Sequence, residues 1–109
     1  MPRYLITATY TAEGAKGLLE EGGSGRKTVI EKALKNMGGK LDAMYYAYGE
    51  TDVVIIVDMP DGISLLSLSL AANASGTVKV KTTPLVTVEE IDAACKNSAA
   101  FWPAGGLGV

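Results

Sequence analysis

Hydrophobic residues along this chain follow two patterns. Four short segments are rich in β-branched and aromatic residues, which is typical of β-strands; they are residues 4–10, 41–48, 53–58 and 77–85. Two longer segments repeat apolar residues at helical spacing. In the first, one stripe consists of Val29, Ile30, Ala33, Leu34 and Met37. The second, residues 63–74, is small and apolar nearly all round, which predicts burial on more than one side.

Glycines and capping residues divide these segments. Thr11 is a predicted helix cap, but Gly14 and Gly17 each weaken a helix by about 1 kcal/mol relative to alanine, so we expect only a short or irregular turn over residues 12–21. The segment GGSG at 22–25 predicts a break, with Ser24 or Gly25 capping the better helix that follows.

A further short helix is predicted close to the C-terminus. Thr87 and Glu90 match a capping box, and the helix should end near Lys96. The order is then β-α-β-β-α-β plus a terminal helix, which predicts an α+β, ferredoxin-like domain with a four-stranded antiparallel sheet and both long helices on one face. We assign residues 1–98 to this domain and residues 99–109 to a Gly-rich aromatic tail.

Both faces of the predicted sheet are apolar. On the third strand Val53, Ile55 and Val57 oppose Val54 and Ile56. On the second strand, strict alternation places two rows of side chains on opposite faces of the sheet. One row is Leu41, Ala43, Tyr45 and Ala47, and the other is Met44, Tyr46 and Tyr48. Two helices cover only one face of such a sheet, so we expect the other face to pack on a second copy, in a homodimer or a larger homo-oligomer.

The composition of the chain excludes several classes of function. The chain has 109 residues, enough for one domain, and its net charge is −2 with scattered Lys and Arg, so the basic stripe of a nucleic-acid binder is absent. It has no histidine and one cysteine, Cys95, which excludes imidazole-based catalysis and a cysteine metal cluster within the chain. We expect Cys95 to be a buried small hydrophobe. Apolar stretches are too short to cross a membrane, and no secretory signal is recognisable, so a cytoplasmic location is predicted.

Several spaced motifs resemble the GYD-domain family. They are PRYL (2–5), YTAEGAKGL (10–18), EGGSGR (21–26), YAYGETD (46–52), ASG (74–76) and TVEE (87–90). One departure lies in the motif that names the family, because Thr51 stands where the family has a tyrosine before Asp52. The resemblance implies a ferredoxin-like domain of the dimeric α/β-barrel type and implies no particular activity.

The glycine-rich segment is the first candidate site. Its backbone N–H groups, together with Arg26, Ser24 and nearby Lys16, are suited to hold an anion. The alternative interpretation is a linker in which Arg26 is solvated or paired with Glu21. The spacing does not match a phosphate-binding P-loop.

Tyrosines and carboxylates supply the other candidates. Tyr10 and Tyr46 could orient a ligand through their hydroxyls, or these rings could simply fill the core or an interface. Glu50 and Asp52 at the predicted hairpin could act as an acid–base pair, although such residues more often stabilise a turn. Asn73, near the end of the second long helix, is expected to cap that helix.

Three functional hypotheses follow. The first is a small-molecule binding protein with a pocket between helices and sheet. Its ligand would be polar, with an anion as one alternative, and would be held by Tyr10, Lys16, Ser24, Arg26, Tyr46 and Asp52. The second is a non-enzymatic assembly or regulatory module. The third is a cofactor-independent enzyme using tyrosine, lysine or arginine. None of the three requires a cofactor or a metal.

Overall fold

Seven elements follow one another in the computed structural model, which describes residues 1–97, 101 and 104–105. They are β1 (Arg3–Tyr10), α1 (Ala12–Asn36), β2 (Lys40–Tyr46), β3 (Val53–Asp58), α2 (Gly62–Ala74), β4 (Val78–Leu85) and α3 (Val88–Lys96). The order agrees with the prediction. Most of the predicted tail, residues 99–109, lies outside the described residues.

The four strands form one antiparallel sheet in the order β2-β3-β1-β4. Helix α1 connects β1 to β2 and α2 connects β3 to β4, and in each case the two strands are consecutive in sequence but are not neighbours in the sheet. The ferredoxin-like topology is therefore confirmed. Helices α1 and α2 cover the face that carries the buried core: Tyr4, Ile6, Leu34, Val53, Ile55, Val57, Met59 and Leu65.

The face assignment of β2 differs from strict alternation. The register shifts between Leu41 and Ala43, where a β-bulge places an extra residue in the strand. Leu41 pairs with Val57 and therefore faces the helices with Met44 and Tyr46, not with Ala43 and Tyr45. This part of the prediction was wrong because a bulge resets the period of two.

Tyr48 was also misplaced. The strand ends at Tyr46, and Tyr48 lies in the following loop with a fully exposed side chain. It therefore shares no strand face with Tyr46. The loop is held at its base, where the Ala47 N–H donates to the Asp52 carbonyl at 2.9 Å.

Helix α1 is continuous across the segment where a break was predicted. Only Gly22 leaves the helical conformation, with φ of +78°, and this produces a kink. Ser24 and Gly25 are helical rather than capping residues. The weak helix propensity of this segment is offset by β2, because the Tyr46 ring lies 3.2 Å from the place where a Gly23 side chain would begin and its hydroxyl donates to the Gly23 carbonyl at 3.0 Å.

The start of α1 is fixed to the turn before β4. Thr11 caps the helix as predicted, its N–H donates to the Thr77 carbonyl at 2.9 Å, and its hydroxyl donates to the Gly76 carbonyl at 2.8 Å. Gly14 is buried at this contact. A side chain there would overlap the Thr77 carbonyl and come within 2.9 Å of the Tyr10 ring. This glycine permits close packing rather than merely weakening the helix.

Helix α2 begins at the Asp61 cap, whose side chain accepts the Ser64 N–H at 2.7 Å. It is buried on one side only, since Ile63, Leu66 and Leu70 are exposed. Asn73 does not cap its own helix. Its side-chain oxygen accepts the Val80 N–H at 2.9 Å and so fastens α2 to β4.

Helix α3 has the predicted capping box between Thr87 and Glu90, and every residue in it is exposed. Cys95 is exposed as well, so the expectation of a buried cysteine was wrong. The helix follows β4 beyond the two-layer body of the domain and does not contribute to the core.

The face of the sheet away from α1 and α2, here called the outer face, carries an apolar strip. Its members are Leu5, Ala43, Tyr45, Val54 and Ile56. Below the strip, Arg3 donates to both carboxylate oxygens of Asp58, at 3.0 and 3.2 Å, and lies 3.4 Å from Asp42. The hydrogen bond from Arg3 lowers the pKa of Asp58.

Gly14→Ala should destabilise the protein by about 1–3 kcal/mol, because a rigid carbonyl occupies the place of the new methyl group. Gly17→Ala is the matched control on the same helical segment. It has no atom within 4 Å of an added side chain and should stabilise the protein by up to about 1 kcal/mol. Urea unfolding measures both. Equal effects of the two substitutions would contradict the close-packing role of Gly14.

Asp58→Asn should change how stability depends on pH. The folded-state pKa of Asp58 is below its unfolded value of about 3.9, so its contribution is present above that pH and is lost as pH falls through the folded pKa. The difference in unfolding free energy between wild type and Asp58→Asn should therefore shrink between about pH 5 and pH 2. Asp92→Asn, the same charge change at an exposed position of α3, is the matched control.

Candidate functional site

A cleft of about 470 Å³ lies between the two long helices and the sheet. It forms because α1 lies on β1 and β2 whereas α2 lies on β4, so the two helices stand apart above β1. Its walls are mainly apolar. They include Ile6, Ala8, Ile30, Ala33, Ile55, Leu68 and Val80.

Polar side chains gather where β1 ends and α1 kinks. Tyr10, Glu21 and Arg26 line the cleft there, and Tyr46 lies beside them on β2. We call these four residues the tyrosine–arginine cluster. Glu13, Ser69, Ser75 and Thr77 also line the cleft, so the pocket has an apolar body and a partly polar rim.

Tyr10 is held by the hairpin between β2 and β3. Its backbone N–H donates to the Asp52 carboxylate at 2.8 Å, and the Asp52 N–H donates to the Ala8 carbonyl at 2.9 Å. Asp52 thus fixes the end of β1 and positions Tyr10. Among the described residues, the Tyr10 hydroxyl makes no hydrogen bond within the protein, which leaves it available to a ligand.

Arg26 is paired with Glu21 across the kink of α1. The closest approach is 3.4 Å, between one guanidinium nitrogen of Arg26 and one carboxylate oxygen of Glu21, and both side chains are about one-third exposed. The contact is single and long for a charge-assisted hydrogen bond. Arg26 therefore retains donors for another partner.

Burial and neighbouring charges raise the pKa of both tyrosines in the cluster. For Tyr10 burial is the largest cause, followed by Tyr46, while Arg26 opposes the rise. For Tyr46 burial again acts first, with Arg26 opposing and Glu21 adding to the rise. Both hydroxyls stay protonated at neutral pH, so they act as hydrogen-bond donors rather than as phenolate bases.

The six predicted ligand-binding residues are thus divided by the structure. Tyr10 and Arg26 line the cleft, Tyr46 adjoins it, and Asp52 acts from behind Tyr10. Lys16 and Ser24 are exposed and lie outside the lining. Sequence reasoning did not assign Glu13, Ser69 or Thr77 to the site, because no motif joins such distant positions.

A cluster of metal ligands is missing from the described part of the chain. No three acidic, cysteine or histidine side chains come together as metal ligands there. Of the two residues proposed as an acid–base pair, Asp52 uses its carboxylate to accept the Tyr10 N–H at 2.8 Å. Glu50 accepts the Thr9 hydroxyl at 3.1 Å through its backbone carbonyl, and its carboxylate does not take part in that bond. Nor does any helix among the described residues have the length and apolar character to cross a membrane.

The fold and the cleft define a small ferredoxin-like α+β domain with a pocket between its helices and sheet. A family model described as the GYD domain matches residues 4–95, and the chain therefore belongs to the GYD-domain family. The resemblance seen in the sequence is confirmed.

Comparison with solved structures supports the fold. The crystal structure of MtbAldR matches with a TM-score of 0.59 and 16% identity over 79% of this chain. The match covers 53% of that chain, so this protein corresponds to about half of it. At this identity the likeness shows the fold alone. No curated protein matches the chain.

Proposed function

We propose that this protein binds a small molecule in the cleft between α1, α2 and the sheet, with an apolar body inside and an anionic group at the tyrosine–arginine cluster. The observation that carries the proposal is the cleft itself. Its volume of about 470 Å³ lies within the range of roughly 300–1,000 Å³ common for ligand pockets.

The arrangement of the lining supports an amphipathic ligand. Apolar walls favour burial of a hydrocarbon or aromatic body. At the polar end, Arg26 and the Tyr10 hydroxyl both offer donors, and Arg26 is the one Lys or Arg side chain among the residues that line the cleft. Because Tyr10 and Tyr46 remain protonated at neutral pH, the cluster is better suited to hold an anion than to remove a proton.

Two fluorescent dyes test this proposal as a matched pair. 1-Anilinonaphthalene-8-sulfonate has an apolar body and one anionic group, and N-phenyl-1-naphthylamine is the same molecule without the sulfonate. Ala33→Phe, which fills the cleft, should weaken both dyes at least about tenfold, because the displaced contacts are worth more than about 1.4 kcal/mol. Ala15→Phe, at an exposed position on the same helix, should weaken neither.

Arg26→Gln separates the polar end from the apolar body. It should weaken the sulfonated dye about tenfold and leave the neutral dye unchanged, because a charged hydrogen bond contributes about 1.5–3 kcal/mol. Fluorescence titration gives each Kd, and thermal unfolding verifies that each variant is folded. Equal binding by wild type and Ala33→Phe would refute the cleft as the site. Native mass spectrometry of the purified protein would identify a retained natural ligand.

We further propose that the outer face packs against a second copy of this chain. Tyr45 in the apolar strip is 70% exposed, and in the described part of the chain α1 and α2 cover only the opposite face. The charges are also complementary. Lys79 pairs with Thr9 across β4 and β1, while the carbonyl of Glu50 accepts the Thr9 hydroxyl from the other side, so a basic and an acidic residue flank one row of the sheet.

A two-fold axis along the strands would place Lys79 of one copy over Glu50 of the other. Tyr45→Glu would put a charge into this interface and should convert the dimer, of about 22.6 kDa from two chains of 11.3 kDa, to the monomer. Tyr48→Glu, the same change in the exposed loop, should not. Size-exclusion chromatography with light scattering measures the mass of the wild type and of both variants in solution. A wild-type mass of 11.3 kDa at micromolar concentration would refute the dimer.

A further inference from the structure

We infer that Glu21 is an internal competitor for the ligand: its carboxylate occupies Arg26 in the free protein, and binding exchanges it for the anionic group of the ligand. The inference rests on the proposed function of the cleft and adds a specificity-determining residue to it. Glu21 and Arg26 both line the cleft, and they stand on opposite sides of the kink at Gly22.

The geometry of the pair favours exchange. One carboxylate oxygen of Glu21 approaches one guanidinium nitrogen of Arg26 at 3.4 Å, whereas charge-assisted hydrogen bonds are about 2.7–2.9 Å long. A guanidinium offers five N–H donors in a planar fork. A carboxylate or sulfonate of a ligand can accept two of them in parallel and can also accept the Tyr10 hydroxyl. Such an anion makes more contacts with this end of the cleft than Glu21 does.

The Glu21 side chain lies across Gly25 on its way to Arg26. A side chain at Gly25 would begin 2.9 Å from Cγ of Glu21, so Glu21 lies over the bare backbone of Gly25, one helical turn further along α1. The backbone of Gly25 is helical, and its φ gives no reason for a glycine. Glu21 can lie this close to Gly25 because Gly25 has no side chain.

Separating Glu21 from Arg26 also requires little free energy. Its side chain is about one-third exposed, as is that of Arg26, so the carboxylate is hydrated as soon as it leaves the pair. An ion pair this exposed holds its members weakly, and its removal changes affinity by about fivefold at most. A ligand without an anionic group leaves the pair intact and gains nothing from its removal.

Two different substitutions test the exchange. Glu21→Gln removes the competing charge, and Gly25→Ala keeps the charge but displaces the side chain from its path. Each should tighten binding of 1-anilinonaphthalene-8-sulfonate about two- to fivefold and leave N-phenyl-1-naphthylamine unchanged. Glu20→Gln, the same charge change at an exposed position outside the lining, is the matched control and should affect neither dye. In an Arg26→Gln background, Glu21→Gln should lose its effect.

The outcomes separate this inference from the function on which it rests. If the wild type binds the dyes but Glu21→Gln and Glu20→Gln have the same Kd for the sulfonated dye, the exchange is wrong and the cleft remains a binding site. Tighter binding of the neutral dye by Glu21→Gln would also overturn the exchange, because it would indicate easier access rather than loss of competition. If neither the wild type nor Glu21→Gln binds either dye, both the function and the exchange are wrong.

Discussion

β1 is hydrogen-bonded to β3 on one side and to β4 on the other, so its alternate residues form the floor beneath both helices. Tyr4 and Ile6 are large and buried, and they build the core at one end of this floor. Ala8 is small and leaves the space above it to the cleft, and Tyr10 closes the row at the polar end. One strand with a fixed period of two therefore sets both where the domain is packed and where it is open.

The attachment of α1 depends on the same strand. Thr11, the residue after Tyr10, caps the helix, and Gly14 lets the first turn of α1 approach the turn at Thr77 closely. At the other end of the first helical segment, Tyr46 holds Gly23 and the kink lies at Gly22. The segment that lines the cleft is thus fixed at both ends by specific contacts rather than by a continuous apolar stripe.

The sequence was informative where local chemistry decides the structure. Thr11 and the capping box at Thr87 set their helix starts through side-chain hydrogen bonds within a few residues, and both were predicted. The bulge in β2 was not, because a shift in register depends on pairing with β3. The segment at 22–25 was expected to break the helix, because the contact of Gly23 with Tyr46 joins residues far apart in the chain and is not visible in the local sequence.

The candidate site was also predicted from the sequence only in part. Tyr10 and Arg26 were predicted from residue types that suit an anion, and they do line the cleft. Lys16 was chosen on the same grounds and lies outside it, because the helical phase of Lys16 on α1 turns it to solvent. Asp52 illustrates a third outcome. It was expected to touch a ligand, whereas its carboxylate accepts the backbone N–H of Tyr10 and so determines where Tyr10 stands.

The hairpin between β2 and β3 contacts both faces of the sheet at one place. Asp52 accepts the N–H of Tyr10, whose side chain lines the cleft, and Glu50 accepts the hydroxyl of Thr9, whose side chain lies on the outer face. Thr9 and Tyr10 are adjacent and point to opposite sides of β1. The hairpin therefore contacts both the end of the cleft and the surface proposed for assembly. A second copy packed over Glu50 would restrain the loop that positions Tyr10, so the two proposed roles of the domain share a single structural support.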